Sequence, residues 1–513
     1  MKAPPSLLCG TISLLASSCS LQTTRAPASA PGASDFEAAI ARIERADPES
    51  PAVLSAKLAY ADFLLSRASG PCAERLVRAQ EQLGSVEANT EAPVMLPDGR
   101  ARAADLEYRL HLGRAACGRQ EDRNDELLAA VAAARRAVEL YRNVFDYRSM
   151  VIMQFDASIV LHELGENAAA LSTLEVALDM DREYGFQDDA PENYEVLLTW
   201  RGQPAGPAQV ARLMEDFPKR RMTLKFGWRP SDAQITVEGR REYIIDGQIV
   251  GSRVADTFER RISAGQGGSW RVSHRLTRYE PGVWPTIPGP QTPQVLIPPA
   301  LPPAVDFNVS ATGQFEGATD SQAFSARLIA TAKRLIQASA PSGKDARNLT
   351  RDALAMTEDD LSPGALEADT AENYALDTAM WIDATLEQGI WYEISAPLTL
   401  AGLPRLVVQH RIAFAFTRMV PCTARAASQT CIEIVIRATP DQEALDDVNA
   451  DVWGRGALHY AASLQARVVI DPNTLLPYAR EERVYWYRSF GSGKGRTALG
   501  SEHLVSSTSY DSG

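Results

Sequence analysis

The hydrophobic repeat of this chain changes period near residue 200, and a single layer of secondary structure cannot satisfy both periods. Between about residues 35 and 200 apolar side chains recur every three to four positions, as Phe36, Ile40 and Ile43 do, the spacing that lines one face of a helix. The pattern continues through 52–67, 73–83, 103–117, 124–143, 147–164 and 168–184. Alanine is dense in these segments, so neighbouring helices can approach closely. A break follows at 201–207 (RGQPAGP), then a short helical stretch at 208–217.

From Met222 the period falls to two. Segments 222–226, 234–245, 249–262 and 270–279 alternate and read as strands. A Pro-rich crossing at 281–303 cannot hold a central strand, and strand character resumes at 305–315. Helical spacing returns in 320–390, first through Phe324, Leu328, Ile329, Ala332 and Leu335, then in 348–358 and 371–386. Strands follow at 391–400, 405–419, 431–438, 457–470, 479–490 and 496–510. Leu406, Val408, His410, Ile412, Phe414 and Phe416 share one face of such a strand; Val407, Gln409, Arg411, Ala413, Ala415 and Thr417 share the other. Strands of roughly 12 to 16 residues are about twice the usual length, and they imply a strongly curved antiparallel sheet, because a long flat one splays or aggregates.

The expected fold class is therefore α+β and multidomain: an all-α helical-repeat domain at 35–200, a linker and helix at 201–217, and an antiparallel β domain at 218–513 with a helical insert at 320–390. The length of 513 residues suits two or three domains. The net charge is −13, and removing residues 1–18 takes away only Lys2 and leaves −14. An acidic surface repels phosphate backbones, so nucleic acid is not an expected partner.

The N-terminus carries an address. Lys2 precedes an apolar stretch at 7–16 (LLCGTISLLA), far short of the roughly 20 residues that span a bilayer. Ala16-Ser17-Ser18-Cys19 then resembles the lipobox of bacterial lipoproteins, in which small residues precede a cysteine that becomes thioether-linked to diacylglycerol. Ala16 stands where that family most often has Leu. The competing cleavage motif Ala28-Ser29-Ala30 is followed by Pro31, which ordinarily blocks signal peptidase. The resemblance implies a signal peptide at 1–18, lipidation at Cys19, a tether at 19–34 rich in Pro, Ala and Ser, and a chain anchored to an envelope membrane and facing the periplasm. Ser20 is not the aspartate associated with inner-membrane retention in enteric bacteria, which favours the outer membrane. The competing reading is an unstructured N-terminus in the cytoplasm.

Cys9 falls in the segment to be removed, which leaves Cys72 with Cys117 and Cys422 with Cys431. The second pair brackets a short polar run (TARAASQT) between two strands. Two disulfides are the expectation in an oxidising compartment; four buried free thiols are the alternative. No CxxC occurs, so zinc and thioredoxin-like chemistry are not expected.

Ala157, Leu161, Gly165, Ala170, Leu174, Ala177 and Leu178 resemble the latter half of a tetratricopeptide repeat. Ala130, Ala134 and Ala137 repeat the offsets one unit earlier, with Gly118 as the preceding turn. The interval from Ala137 to Ala177 is 40 residues rather than the family's 34, and Arg182 stands where its proline would fall. A generic helical bundle would share these alanines. At fold level only, the long strands and helical insert resemble the half-barrel envelope lipoproteins typified by the outer-membrane lipoprotein carrier and the mycobacterial lipid-carrying lipoproteins. That resemblance implies an apolar cavity between sheet and helices, whereas a filled core would alternate in the same way.

Motifs of catalysis are not legible. The histidines at 111, 162, 274, 410, 459 and 503 form no HExxH; His162-Glu163 reads as a solvated pair, and His410 as a buried, hydrogen-bonded histidine. No GxSxG elbow occurs. Gly491-Ser492-Gly493-Lys494-Gly495 lacks the P-loop's first glycine, with Arg488 at that offset, and lies between strands, so it reads as a hairpin turn. Glu358-Asp359-Asp360 reads as an acidic run without calcium-loop spacing, and Asp446-Asp447 as solvated loop charge. Trp486 should face away from Tyr485 and Tyr487.

Two functions fit: a non-catalytic adaptor whose helical repeats bind envelope proteins, or a carrier or sensor of a lipid or other apolar ligand held by the 222–513 sheet. No cofactor and no enzymatic activity are expected.

Overall fold

The computed structural model describes residues 32–46, 50–87, 97–215, 217, 220–245, 248–280, 305–338, 358, 361–401, 403–423, 429–452, 458–490 and 498–510. Cys19, the segment 1–18, most of the tether 19–34 and the glycine run 491–495 lie outside them, as does all of 348–358 except Glu358. The chain divides into two compact units: Met1–Ala177 with Asp441–Ala461 and Tyr487–Gly495, and Leu178–Pro440 with Ala462–Trp486 and Arg496–Gly513. The coarse expectation holds: helices dominate the N-terminal part and a large antiparallel sheet the C-terminal part.

The helical part runs α1 (Ala33–Ala46), α2 (Pro51–Ser66), α3 (Cys72–Glu87), α4 (Pro97–Cys117), α5 (Arg123–Asn143), α6 (Tyr147–Glu163), α7 (Asn167–Tyr184), α8 (Ala190–Trp200) and α9 (Pro207–Glu215). Their starts follow capping chemistry. Ser50 Oγ accepts from Ala52 N at 3.2 Å with Pro51 in the first turn of α2, and Asp146 accepts from Ser149 N at 3.2 Å ahead of α6. Two stops follow glycine: Gly165 (φ 82°) after α6 and Gly185 (φ 77°) after α7 supply the left-handed residue that closes the last carbonyls.

The alanines at repeat spacing are interior. Ala130, Ala134, Ala137, Ala170 and Ala177 are wholly buried, so each admits a neighbour that a larger side chain would exclude. A polar knot ties α2, α4 and α5. Buried Asp105 takes Arg109 through two bonds of 2.9 and 3.1 Å and Tyr141 Oη at 3.3 Å, while Arg109 and Arg102 both reach Asp62. Cys72 at the start of α3 is bonded to Cys117 at the end of α4. His162-Glu163 ends α6, and Glu163 pairs with Arg123.

The sheet carries β2 (Ser231–Ile245), β3 (Gln248–Ala264), β4 (Trp270–Glu280), β5 (Asp306–Val309), β6 (Phe315–Thr319), β8 (Trp391–Leu400), β9 (Leu403–Pro421), β10 (Thr430–Pro440), β11 (Leu458–Ile470), β12 (Pro477–Phe490) and β13 (Ala498–Tyr510). Short β1 (Arg221–Thr223) and β7 (Thr385–Glu387) pair with each other apart from it. Among the described residues the order is β6-β5-β4-β3-β2-β13-β12-β11-β10-β9-β8. The sheet is thus two meanders, and the last strand of the second lies along the first strand of the first: β13 runs antiparallel to β2 from Ala498↔Ile245 to Tyr510↔Ala233.

Between the meanders lie α10 (Ser321–Ala338) and α11 (Pro363–Asp377), the latter capped by Ser362 Oγ on Ala365 N. The helix expected at 371–386 stops at Asp377. Trp381, fully buried, donates its indole N–H to Leu376 O at 2.8 Å, Asp383 turns to φ 57°, and the chain leaves as β7. The single strand expected at 305–315 is two, β5 and β6, turned about Gly313 (φ 85°). The Asp446-Asp447 charge sits on a helix, α12 (Gln442–Val452), rather than a loop.

One sheet face is apolar: Ile412, Phe416, Ile432, Ile434, Ile436, Ala466, Val468 and Ile470 are at most 1 % exposed beneath Leu376, Trp381 and Leu386. His410 lies on this face, buried, with Nδ1 2.8 Å from Val408 O. Burial holds its imidazole below the usual range, hence neutral. Cys422, just past β9, is bonded to Cys431 of β10.

Candidate functional site

Where α11 crosses β2–β5, β12 and β13, the core does not close. A cleft of about 370 Å3 lies there, within the range of small-molecule sites. Strand alternation builds its floor. Ile235 and Val237 of β2, Phe258 and Arg260 of β3, Val272 and His274 of β4 and Phe307 of β5 all point to the same face, as the pairs Ile235↔Phe258, Arg260↔His274 and Val272↔Phe307 require. Thr370, Asn373, Tyr374 and Asp377 of α11 form the roof at helical spacing, and Trp228 closes one side.

An aromatic group forms the apolar wall. Trp228 meets Tyr374 edge-on at 5.8 Å, and Phe307 lies 5.5 Å from Tyr374 and 5.9 Å from His274. Tyr374 Oη donates to Gly313 O at 2.8 Å, and burial raises its pKa, so the phenol stays protonated. The indole N–H of Trp228, itself only 7 % exposed, has no acceptor among the described residues. A buried donor left so costs about 1–3 kcal/mol.

The polar wall is organised by two cations. Arg480 of β12 donates to Asn373 Oδ1 at 3.0 Å and Asp377 Oδ1 at 3.2 Å and also binds Glu482. Burial works against its charge, but Glu482 and Asp377 outweigh that and keep the guanidinium protonated. Arg260 Nε donates to His274 Nε2 at 3.1 Å, while His274 Nδ1 faces Val305 O at 3.2 Å. The ring is therefore the Nδ1–H tautomer. Burial first, and Arg260 second, push its pKa down to about 3, so it is a fixed neutral linker with both nitrogens engaged. Glu372, on α11, accepts Thr399 N at 2.9 Å; burial raises its carboxyl.

On the opposite face a charge ladder crosses five strands. Glu433 of β10, 1 % exposed, takes Thr417 Oγ1 at 2.8 Å and Arg418 Nε at 3.2 Å of β9, with Arg467 of β11 at 3.5 Å. Arg467 continues to Glu481 of β12 at 2.9 Å, which also holds Arg483 at 2.8 Å and His503 of β13 at 3.0 Å.

Of the residues singled out by sequence, the cysteines pair as Cys72–Cys117 and Cys422–Cys431, and the second pair lies in the same buried apolar cluster as Trp228, Phe307 and Tyr374. Cys19 lies outside the described residues. Trp228, Tyr374, Asp256 and Arg480 were not singled out. They are spread over more than 250 positions, and the only local signal was charged residues at interior-facing strand positions, Arg260, Arg480 and Glu482 among them. Among the described residues, no group of three or more His, Cys, Asp or Glu is placed to hold a metal, and no helix is long and apolar enough to cross a membrane. No protein-family model matches the chain, and no curated protein matches it in sequence.

Proposed function

We propose that this chain is a lipid-anchored envelope protein that binds a small amphipathic molecule in the cleft under α11, as a carrier or sensor rather than an enzyme. The cleft of about 370 Å3, apolar on the Trp228–Phe307–Tyr374 side and polar on the Arg480–Asp377 side, is the observation that carries this reading. At about 30 Å3 per water-sized group it accommodates roughly a dozen non-hydrogen atoms. Binding rather than catalysis is supported by the commitment of two of its polar groups: both nitrogens of His274 and the guanidinium of Arg480 are tied to protein partners. A half-barrel architecture with a helical cover suits such a role.

The address belongs to the same proposal. Lipidation at Cys19 after removal of 1–18, a tether to residue 34 and a periplasmic, outer-membrane position are consistent with two disulfides, which persist in oxidising compartments. Native mass spectrometry of the full chain from its membrane tests the binding role. The expected result is a bound small molecule that is lost in Val237→Trp, which fills the cleft; an unliganded mass in the unaltered chain would contradict it.

A second reading is an adaptor whose helices form tetratricopeptide-like repeats and grasp envelope protein partners. It is supported by exposed large apolar side chains in the helical unit: Ile152 and Ile159, seven residues apart on one face of α6, are 41 and 37 % exposed, with Leu128 of α5 at 55 %. In-cell crosslinking from Leu128 is its test, with a loss of adducts expected for Ile152→Glu/Ile159→Glu and unchanged adducts counting against it.

A further inference from the structure

We infer that the cleft takes a monocarboxylate with a hydrocarbon tail, its carboxylate held by the guanidinium of Arg260 and the indole N–H of Trp228. The inference rests on the cleft being a binding site. Two donors in the lining carry it: among the described residues, Trp228 has no acceptor and Arg260 has no counter-anion.

The two cations of the cleft differ in their partners. Arg480 is bound to Asp377 and Glu482, so its charge is balanced inside the wall. Arg260 forms no ion pair among the described residues; its neighbours are the neutral ring of His274, 3.1 Å from Nε, and the hydroxyl of Tyr510. Its charge reaches His274, where it adds to burial in keeping the ring neutral. Arg260 is half-buried, and a guanidinium so placed with only neutral partners attracts an anion more strongly than an exposed one, because less water screens it. The remaining carboxylates of the lining are engaged as well: none of Asp256, Asp369 and Glu502 is without a partner. Asp256 also stands four residues along β3 from Arg260, about 14 Å away at the rise of a strand.

Trp228 supplies the second donor. Its indole N–H is buried and has no acceptor among the described residues, so a ligand oxygen there removes the cost of an unanswered donor. A guanidinium fork and one N–H suit the two oxygens of a carboxylate, a planar group that arginine binds through parallel bonds. The tail has a path along the sheet. Arg260 lies opposite Ala233, and on the same face β2 continues through Ile235 and Val237, about 7 Å apart along the strand. Leu504 of β13, opposite Gly239, extends this apolar floor. An eight-carbon acid stays within the roughly dozen non-hydrogen atoms that the volume admits.

Three probes with eight-carbon chains, octanoate, octanol and octyltrimethylammonium, titrated calorimetrically into the full chain, test the assignment. Octanoate should bind about tenfold or more tighter than either of the others. Arg260→Met removes the charge and keeps the stem; it should weaken octanoate about tenfold or more and leave octanol unchanged, which also shows that the variant is folded. Arg260→Lys should restore part of the octanoate affinity. Trp228→Phe keeps a ring and removes only the donor. It should weaken octanoate several-fold and, unliganded, be at least as stable as the unaltered chain. Val237→Trp, which fills the cleft, should abolish octanoate binding. Tighter binding of octanol or octyltrimethylammonium, or octanoate affinity indifferent to Arg260→Met or to Trp228→Phe, overturns the carboxylate assignment, while loss of binding in Val237→Trp keeps the cleft as a site. Failure of all three probes to bind, or binding unaffected by Val237→Trp, overturns the assignment and the carrier reading together.

Discussion

The side-chain amide of Gln388 donates to the backbone carbonyl of Glu183 at 2.6 Å, across 205 positions of sequence. The same nitrogen donates to Thr417 O at 2.9 Å, and the next residue's amide, Gly389 N, reaches Phe416 O at 2.9 Å. The final turn of α7 is thereby fastened to β9. Gly185 and Gly389 make room for this joint: a Cβ on Gly389 would lie 2.5 Å from Gly185 O, and one on Gly185 would lie 2.8 Å from Gln388 Cγ. Both also hold positive φ, at 77° and 78°.

Gln388→Leu removes both bonds and leaves the buried carbonyl of Thr417 and the part-buried carbonyl of Glu183 unanswered, a loss of about 1–3 kcal/mol. Gly389→Ala meets backbone and should be at least as damaging. Urea unfolding followed by tryptophan fluorescence checks both, and a midpoint within error of the unaltered chain would show that the joint contributes nothing.

Glu433 is a buried carboxylate between two guanidiniums, Arg418 and Arg467. Glu433→Ala takes one carboxylate from each cation, Arg418 keeping Glu183 and Arg467 keeping Glu481, and should cost about 1–3 kcal/mol, whereas a substitution that removed the charges together would cost less. The comparison is Glu433→Ala against Glu433→Leu/Arg418→Met/Arg467→Met in thermal denaturation. Equal losses would show that the ladder acts by packing alone.

Burial, and after it the Asp105 charge, lift the carboxyl of Asp156 to about 6 from an ordinary value of 3.8. A raised carboxyl favours the protonated folded state. Its contribution is therefore complete below pH 3.8 and disappears as pH rises through about 6. The helical unit should gain on the order of 2 kcal/mol from this group on going from pH 7.5 to pH 4.5, and Asp156→Asn should abolish that dependence. An unfolding midpoint of the variant that follows pH as the unaltered chain does would contradict the assignment.

The Cys72–Cys117 bond closes a loop of 45 residues and Cys422–Cys431 one of 9. Loop entropy gives about 4 kcal/mol for the first and about 2.6 kcal/mol for the second. Replacing each pair by serine should lower stability in that order, measured by guanidinium unfolding under oxidising conditions.

The division into helices and sheet was legible because burial repeats locally: alanines at 130, 134 and 137, and alternation at 408, 410, 412, 414 and 416, each report their own element. His410 was legible for the same reason. Contacts set by topology were not. Nothing near 498–510 says that β13 will lie on β2, and the halt of α11 at Asp377 depends on Trp381 folding back on Leu376. Helix α12 hid behind its acidic pair, although Ala444 and Leu445 carry a helical signal. The cleft drew its lining from six strands and one helix, so no window of sequence contained it.

The binding role is tested most directly by hydrogen–deuterium exchange on the full chain, with and without an extract of amphipathic metabolites from the cells that make it. Protection should appear in α11 and in β2–β4, the roof and floor of the cleft, and be absent in Val237→Trp. Unchanged exchange there, with protection confined to the helices between Ala33 and Ala177, would contradict the cleft and favour a protein-binding helical surface instead.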